Sequence, residues 1–292
     1  FQSDIRVSET SDLGDLEAKF SAFGWRVARC DGHDIETMAA ILRDFRMERD
    51  VPKVLIADTI KGRGVSFMEH TAMGPADRLY RFHSGAPDAE AYGRAAAELI
   101  ERIDAKFDRF GAAAVELRRT ATPSRAAPTA PERLIPAYSE ALIAAAEKNP
   151  AIHAMDGDLV LDTGLIPFKE RFPDRYRECG IAEQDMVSQA GGMALRGLLP
   201  AAHSFACFMV PRAAEQIYNN VSEHTKVIYV GSLVGILPGG PGHSHQSVND
   251  IAILGAMPGL IAYEPACAAE VGPAVDYLYN VAKEAVYLRL VS

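Results

Sequence analysis

Four stretches of this sequence bring together side chains whose types and spacing could do chemistry. The first, Gly180-Ile181-Ala182-Glu183-Gln184-Asp185-Met186, sets two carboxylates at the head of a small-residue run that continues through Ala190, Gly191, Ala194 and Leu195. A glutamate one turn into a helix can simply favour the helix dipole. A carboxyl packed closely on all sides by such neighbours must instead find a partner or take up a proton as its pKa rises. The second stretch, Asp58-Thr59-Ile60-Lys61-Gly62-Arg63-Gly64, pairs two glycines that allow close backbone approach with two cations that suit a phosphate, or else is a solvated basic turn. The third, Asp156-Gly157-Asp158, is an acidic turn that could face a ligand. The fourth, residues 237–246, holds His243 and His245 in a Gly/Pro loop of the kind that carries function. No third ligand stands near those histidines at a usual spacing, so a metal site is not the first reading of the pair.

The elements around these stretches decide where they fall. Helical spacing covers 16–23, 34–48 and 88–107, with a short buried strand at 54–57. Further on, helices are expected at 135–148, 183–196, 212–219, 247–255 and 268–282, and strands at 152–155, 202–205, 227–230, 260–263 and 285–290. Strands alternating with helices, and apolar on both sides, predict an α/β fold of parallel sheets with helices on both faces. In such folds ligands bind at strand-to-helix loops on the carboxyl edge, and the second, third and fourth stretches each follow a strand. Residues 111–132 are rich in Ala, Pro, Ser and Thr without apolar periodicity and read as an interdomain linker.

Composition excludes several classes. A chain of 292 residues, 48% hydrophobic and 24% charged, has room for about two cores. No apolar run reaches the ~18 residues of a membrane span. A net charge of -9 without basic runs argues against a nucleic-acid partner. The cysteines Cys30, Cys179, Cys207 and Cys267 are scattered without CxxC spacing, which suggests reduced thiols and a cytoplasmic location. The start, Phe1-Gln2-Ser3-Asp4, has neither initiator Met nor signal-peptide character and reads as an internal cut in a longer chain.

Taken in order, GWRVARCDGHD (24–34), KVLIADTIKGRG (53–64), FHSGAP (82–87), DGDLVLDTG (156–164), PDRYRECGIAEQDMVSQAGGMAL (173–195), HSFACFM (203–209) and GHSHQSVNDIAILGAMPGL (242–260) resemble the transketolase family of thiamine-diphosphate enzymes. The resemblance runs over nearly the whole chain except the linker. It implies a thiamine-diphosphate-binding fold, with 1–110 as the latter part of the diphosphate-binding domain, 111–132 as linker and 133–292 as the pyrimidine-binding domain. It also implies thiamine diphosphate with Mg2+ or Ca2+ as cofactors, a small-molecule substrate, and a homodimer with the active site at the subunit interface. Glu183 matches the glutamate that hydrogen-bonds N1′ of the aminopyrimidine, promoting the imino tautomer whose 4′-nitrogen takes the thiazolium C2 proton. Phe205 and Phe208 match aromatic walls of that ring. His83 and His245 match active-site histidines, with His243 beside them, suited to stabilising or shuttling protons at substrate oxygens. Asp158 matches a carboxylate on the diphosphate and thiazolium side, and Lys61 lies in a loop bordering the cofactor.

The departures bear on substrate. Where the family has arginine, serine or threonine, and arginine around a sugar phosphate, this sequence has Ile135, Asp162 and Glu264, with Arg133 as the alternative contact near Ile135. Leu233 and Pro241 stand where a histidine and an aspartate commonly contact donor hydroxyls. Added carboxylates repel a phosphate dianion by on the order of 1 kcal/mol or more. The GDG-to-Asn magnesium motif is not among these residues, so no metal ligand is assigned. The expectation is a transketolase-like transferase moving a two-carbon ketol or acyl-anion unit to an aldehyde-type acceptor, with an atypical, less phosphate-dependent substrate. The alternatives are a decarboxylating enzyme of the 2-oxoacid dehydrogenase or deoxyxylulose-phosphate synthase type, and a non-catalytic paralogue.

Overall fold

The computed structural model describes residues 1–83, 87–116, 133–236 and 242–291. The chain divides into two compact units, one of Phe1 with residues 12–122 and one of residues 2–11 with 123–292. Most of the expected linker, and Pro241 with residues 237–240, lie outside the described residues.

After a short α1 (Val7–Thr10), which belongs to the second unit, the first unit contains α2 (Leu16–Ala22), β1 (Arg26–Asp31), α3 (Ile35–Met47), β2 (Lys53–Asp58) and α4 (Ala89–Arg109). β1 and β2 pair in parallel, from Arg26 opposite Lys53 to Asp31 opposite Asp58. Asp15, Asp34 and Asp88 cap α2, α3 and α4 by accepting from the backbone N–H three residues on, which satisfies donors that a helix start leaves open. β1 was not expected, because its Arg-Val-Ala-Arg-Cys-Asp run interleaves charges with apolar residues; Arg29 answers one of them by a bidentate pair with Asp58 across the sheet.

The second unit is built on a six-stranded sheet. Its elements run α5 (Leu134–Lys148), β3 (Ile152–Asp156), α6 (Ile166–Arg171), β4 (Tyr176–Glu178), α7 (Glu183–Leu195), β5 (Leu199–Phe205), α8 (Ala206–Ser222), β6 (Ile228–Ser232), α9 (Asp250–Leu254), β7 (Leu260–Tyr263), α10 (Ala268–Asn280) and β8 (Ala285–Leu290). Strand order is β4-β3-β5-β6-β8-β7, with every pair parallel. On one face Met155, Ala202, Tyr229 and Tyr287 pack against Met186, Val187 and Ala190 of α7 and Met209, Val210 and Ile217 of α8. On the other, the Tyr279 and Tyr138 hydroxyls of α10 and α5 lie 2.7 Å apart, and Tyr138 donates to His203 Nε2 at 2.7 Å, while His203 Nδ1 faces the Met155 carbonyl at 3.0 Å. The expected α/β fold of parallel sheets covered on both faces is therefore present.

Several elements differ from the sequence pattern. α8 starts at Ala206, six residues before the expected helix, because Pro211 does not end it: the break falls at Ala213, whose backbone is non-helical at φ -114°, ψ 19°. β4 and α6 were not expected at all, being too short to show a period. Among the described residues, no helix is long and apolar enough to cross a membrane.

Candidate functional site

Strand order reverses at β3, since the chain leaves β3 for β4 on one side and returns through β5 on the other. The carboxyl ends of β3 and β5 thus flank a crevice of the type that binds ligands in open parallel sheets. Asp158 follows one of these strands and Phe205 ends the other.

Glu183 is the first residue of α7 and is buried. The turn before it depends on Gly180, whose φ of +68° lies in the left-handed region and whose N–H donates to Glu178 Oε1 at 2.8 Å. Glu183 Oε1 accepts from Arg212 Nη1 at 2.7 Å, so the carboxyl has found a partner. Arg212 is not among the residues the motifs single out, although it stands four residues after Phe208 and shares its helix face. Glu183, Arg212, Ile181, Ala182, Gln184 and Asp185 line an open cavity of about 760 Å³. α7 is not enclosed on all sides as its small residues suggested: one face carries Gln184, Asp185, Ser188 and Gly192 to the surface, and Leu195 is 67% exposed.

The aromatic side chains form one cluster with His245. Phe205 and Phe208 centroids are 5.7 Å apart, and the His245 ring stands 5.9 Å from Phe205 and 5.0 Å from Phe208, edge-on to the latter. The Arg212 guanidinium lies 4.3 Å over Phe208, joining this cluster to Glu183. His245 sits on a single 3-10 turn, His243–His245, with Ser244 Oγ 3.0 Å from its Nδ1; His243 is exposed and is not brought into the cluster. Asp162 is near enough to His245 to feel its charge: burial raises the Asp162 pKa above the ordinary carboxylate value, and His245 draws it back.

Asp158 occupies a different setting from the one its motif suggests. It is fully buried, in left-handed backbone at φ 60°, and its carboxylate accepts from the backbone N–H groups of Ser3, Asp4 at 3.1 Å and Ile5 at 2.8 Å. It therefore ties down the start of the chain. Beneath it, burial and the charge of Glu178 push the Asp156 pKa well above normal, although Leu159 N–H and Thr163 Oγ1 donate to it at 2.6 and 2.7 Å. Burial also raises the pKa of Glu178, against hydrogen bonds from Gly180, Tyr176 and Asp158.

Ile135 lies on α5 against Gly164, where a Cβ would stand 2.8 Å from Ile135 Cγ2, so the Ile135 side chain borders the Asp162 loop. Glu264 is ion-paired to Arg289 of β8. Leu233 takes left-handed backbone at φ 51°.

In the first unit, Lys61 directs its Nζ over the Tyr80 ring at 4.8 Å. Its loop is held by two imidazoles, Ile60 N–H donating to His33 Nε2 at 2.8 Å and Lys61 N–H to His70 Nδ1 at 3.0 Å. His33 stands in the motif GWRVARCDGHD, whose residue types give no sign of this contact 27 residues on. His83 is exposed, and residues 84–86 of its motif lie outside the described residues.

A buried carboxylate beside two phenyl rings is a donor set that fits a flat, hydrogen-bonding heterocycle. It does not fit a divalent cation: among the described residues, no group of three or more His, Cys, Asp and Glu could hold one.

Two family models match the chain. Residues 134–291 match the family "Transketolase, pyrimidine binding domain" and residues 4–77 match "Transketolase, thiamine diphosphate binding domain". The chain is 29% identical over 294 residues to transketolase-like protein 2 of Mus musculus, covering 94% of this chain and 43% of that protein. It is 28% identical over 267 residues to transketolase of Homo sapiens, covering 90% of this chain and 42% of that one. A solved transketolase from Campylobacter jejuni superposes with a TM-score of 0.52 at 18% identity, over 99% of this chain and 50% of the other, which shows a common fold. The chain spans less than half the length of these curated relatives.

Proposed function

Because this chain belongs to the transketolase family, we propose that it is a thiamine-diphosphate-dependent transferase that moves a two-carbon ketol or acyl-anion unit from a donor to an aldehyde-type acceptor. The observation that carries this reading is the buried Glu183 carboxylate at the head of α7, facing a cavity and joined through Arg212 to the Phe205, Phe208 and His245 cluster. Glu183 would hold the ring nitrogen of the aminopyrimidine, and Phe205 and Phe208 would wall its faces. The cofactor, when bound, supplies a nucleophilic carbon that stores the transferred unit as a carbanion equivalent. His245 would hold or move a proton at the substrate oxygens, with His83 serving the same end from the first unit.

Substrate choice is read from the Asp162 side. Asp162 beside His245, with Ile135 next to its loop, supports an acceptor or donor less dependent on a phosphate. Glu264 is engaged by Arg289, which weakens its case as a substrate contact. Asp158, filled by backbone donors, is better placed to shape the crevice floor than to meet cofactor directly. The reading further includes Lys61 at the cofactor's border, Mg2+ accompanying the diphosphate, a homodimer with its cofactor site at the subunit interface, and a cytoplasmic location.

The test uses the full protein in its native assembly with thiamine diphosphate and Mg2+. Binding measured by calorimetry, and two-carbon transfer from an unphosphorylated hydroxyketone, are expected for the native sequence. Glu183→Gln should lose turnover by at least about 100-fold, the usual scale for a general acid-base group. Release of CO2 from pyruvate as the sole turnover would replace this reading with a decarboxylating one, and failure to bind the cofactor would replace it with a non-catalytic role.

A further inference from the structure

The Arg212 guanidinium makes two contacts at once: Nη1 donates to Glu183 Oε1 at 2.7 Å, and Cζ stands 4.3 Å from the Phe208 ring centroid. A guanidinium is a planar N–C–N group with N–H donors along its edge. An aminopyrimidine presents an N–C–N edge of the same flat shape, with ring nitrogens that accept where the guanidinium donates, and the proposed function assigns it the same carboxylate and the same aromatic wall. We propose that Arg212 is an internal placeholder, which fills the ring site of the free chain and must swing out before an aminopyrimidine can enter. The proposal rests on Glu183 and Phe208 being ring contacts.

Three features support it. Arg212 stands four residues after Phe208, just before the break at Ala213, so the two side chains share one face of α8 and the guanidinium lies over the ring. Its side chain is 44% exposed, while Glu183 is 4% exposed, so the cation can leave for solvent and the carboxylate cannot follow. Finally, both residues line the same cavity, which leaves room for the exchange. While Arg212 is docked, Glu183 is not left as a buried charge without a partner. When it leaves, Glu183 takes up a proton and donates it to the acceptor nitrogen of the incoming ring, and apparent affinity falls to the share of chains in which Arg212 is undocked.

Calorimetric titration of the full chain with thiamine diphosphate and Mg2+ tests this, using Arg212→Met, Arg212→Lys and Arg212→Ala. Arg212→Met keeps an apolar stem without the fork, and should bind about tenfold tighter than the native chain. Arg212→Lys keeps the charge without the planar fork and should fall between the two. In Arg212→Ala, millimolar methylguanidinium should compete with the cofactor, whereas in the native chain it should have no effect. Equal affinity in native and Arg212→Met chains, or no competition by methylguanidinium, overturns the placeholder. Weaker binding by Arg212→Met also overturns it, by making Arg212 a cofactor contact. If no form binds thiamine diphosphate, the proposed function itself falls, and the placeholder with it.

Discussion

Arg289 Nε donates to Asp250 Oδ2 at 2.7 Å, and Tyr287 Oη donates to the same oxygen at 2.7 Å, so two neighbours on β8 hold the first residue of α9. Asp250 is the point at which the loop carrying His245 re-enters regular structure. Removing one member of a buried ion pair costs about 3–5 kcal/mol, because the other is left uncompensated. Arg289→Met should therefore lower stability to urea by about 3 kcal/mol, and Arg289→Met combined with Asp250→Leu should recover much of it. Burial alone would raise the Asp250 pKa, but hydrogen bonds from Arg289 and Tyr287 outweigh it and hold the value below the ordinary one. The linked stability is present above the unfolded pKa of about 4 and lost as pH falls through the folded value. The single variant should lack that acid limb.

His203 gives a second pH dependence at a higher range. It is fully buried, and burial lowers its pKa to about 4, against hydrogen bonding at the Met155 carbonyl. With Nδ1 donating to Met155, Nε2 is the acceptor for Tyr138, which requires the neutral ring. The unfolded histidine titrates near 6.5, so stability is full above that pH and falls between about 6.5 and 4, by roughly 3 kcal/mol. Urea midpoints at pH 7, 5.5 and 4.5 should show this slope in the native chain and a shallower one in His203→Gln.

At Gly191, α7 packs closely against Asn220 of α8. A Cβ there would stand 2.1 Å from Asn220 Oδ1, and Asn220 Nδ2 already donates to Val187 O at 3.0 Å and Tyr229 Oη at 3.1 Å. Gly191→Ala should destabilise by about 1–3 kcal/mol, the usual range for overpacking. Combining it with Asn220→Ala removes the clash and should leave a smaller loss by thermal unfolding than the sum of the two single changes.

Asp162 provides a specificity test. Replacing it with serine removes a negative charge beside His245. The ratio of KM for a phosphorylated ketose to that for its unphosphorylated counterpart should fall about five- to tenfold in Asp162→Ser, consistent with roughly 1 kcal/mol of relieved repulsion. Added salt should narrow that ratio in the native chain and have less effect in the variant. A ratio unmoved by either change would remove Asp162 from the substrate reading.

The alternation of strands and helices in the second unit was legible because its core strands are apolar on both faces; β7 and β8 have the expected ends. β1 escaped notice because its charges are answered across the sheet, by a partner about thirty residues away that no local window includes. At the site, Glu183, Phe205, Phe208 and His245 could be named from their motifs. Arg212 could not, since the apolar pattern starts a helix only at 212, which hides its one-turn relation to Phe208. Asp158 shows the converse: its motif is recognisable, but the backbone donors that fill it come from residues 3–5, a pairing that sequence order conceals.

Pro211 acts on the backbone of α8 itself. Lacking an N–H, it cannot return a hydrogen bond to the carbonyl of Cys207, so α8 gives up one rung between its first turn and the remainder. That first turn carries Phe208. Met209 and Val210 anchor this part of α8 in the core, as Ile217 and Val221 anchor the segment after Ala213. Side-chain packing, and not that missing rung, therefore couples the turn bearing Phe208 to the sheet behind it.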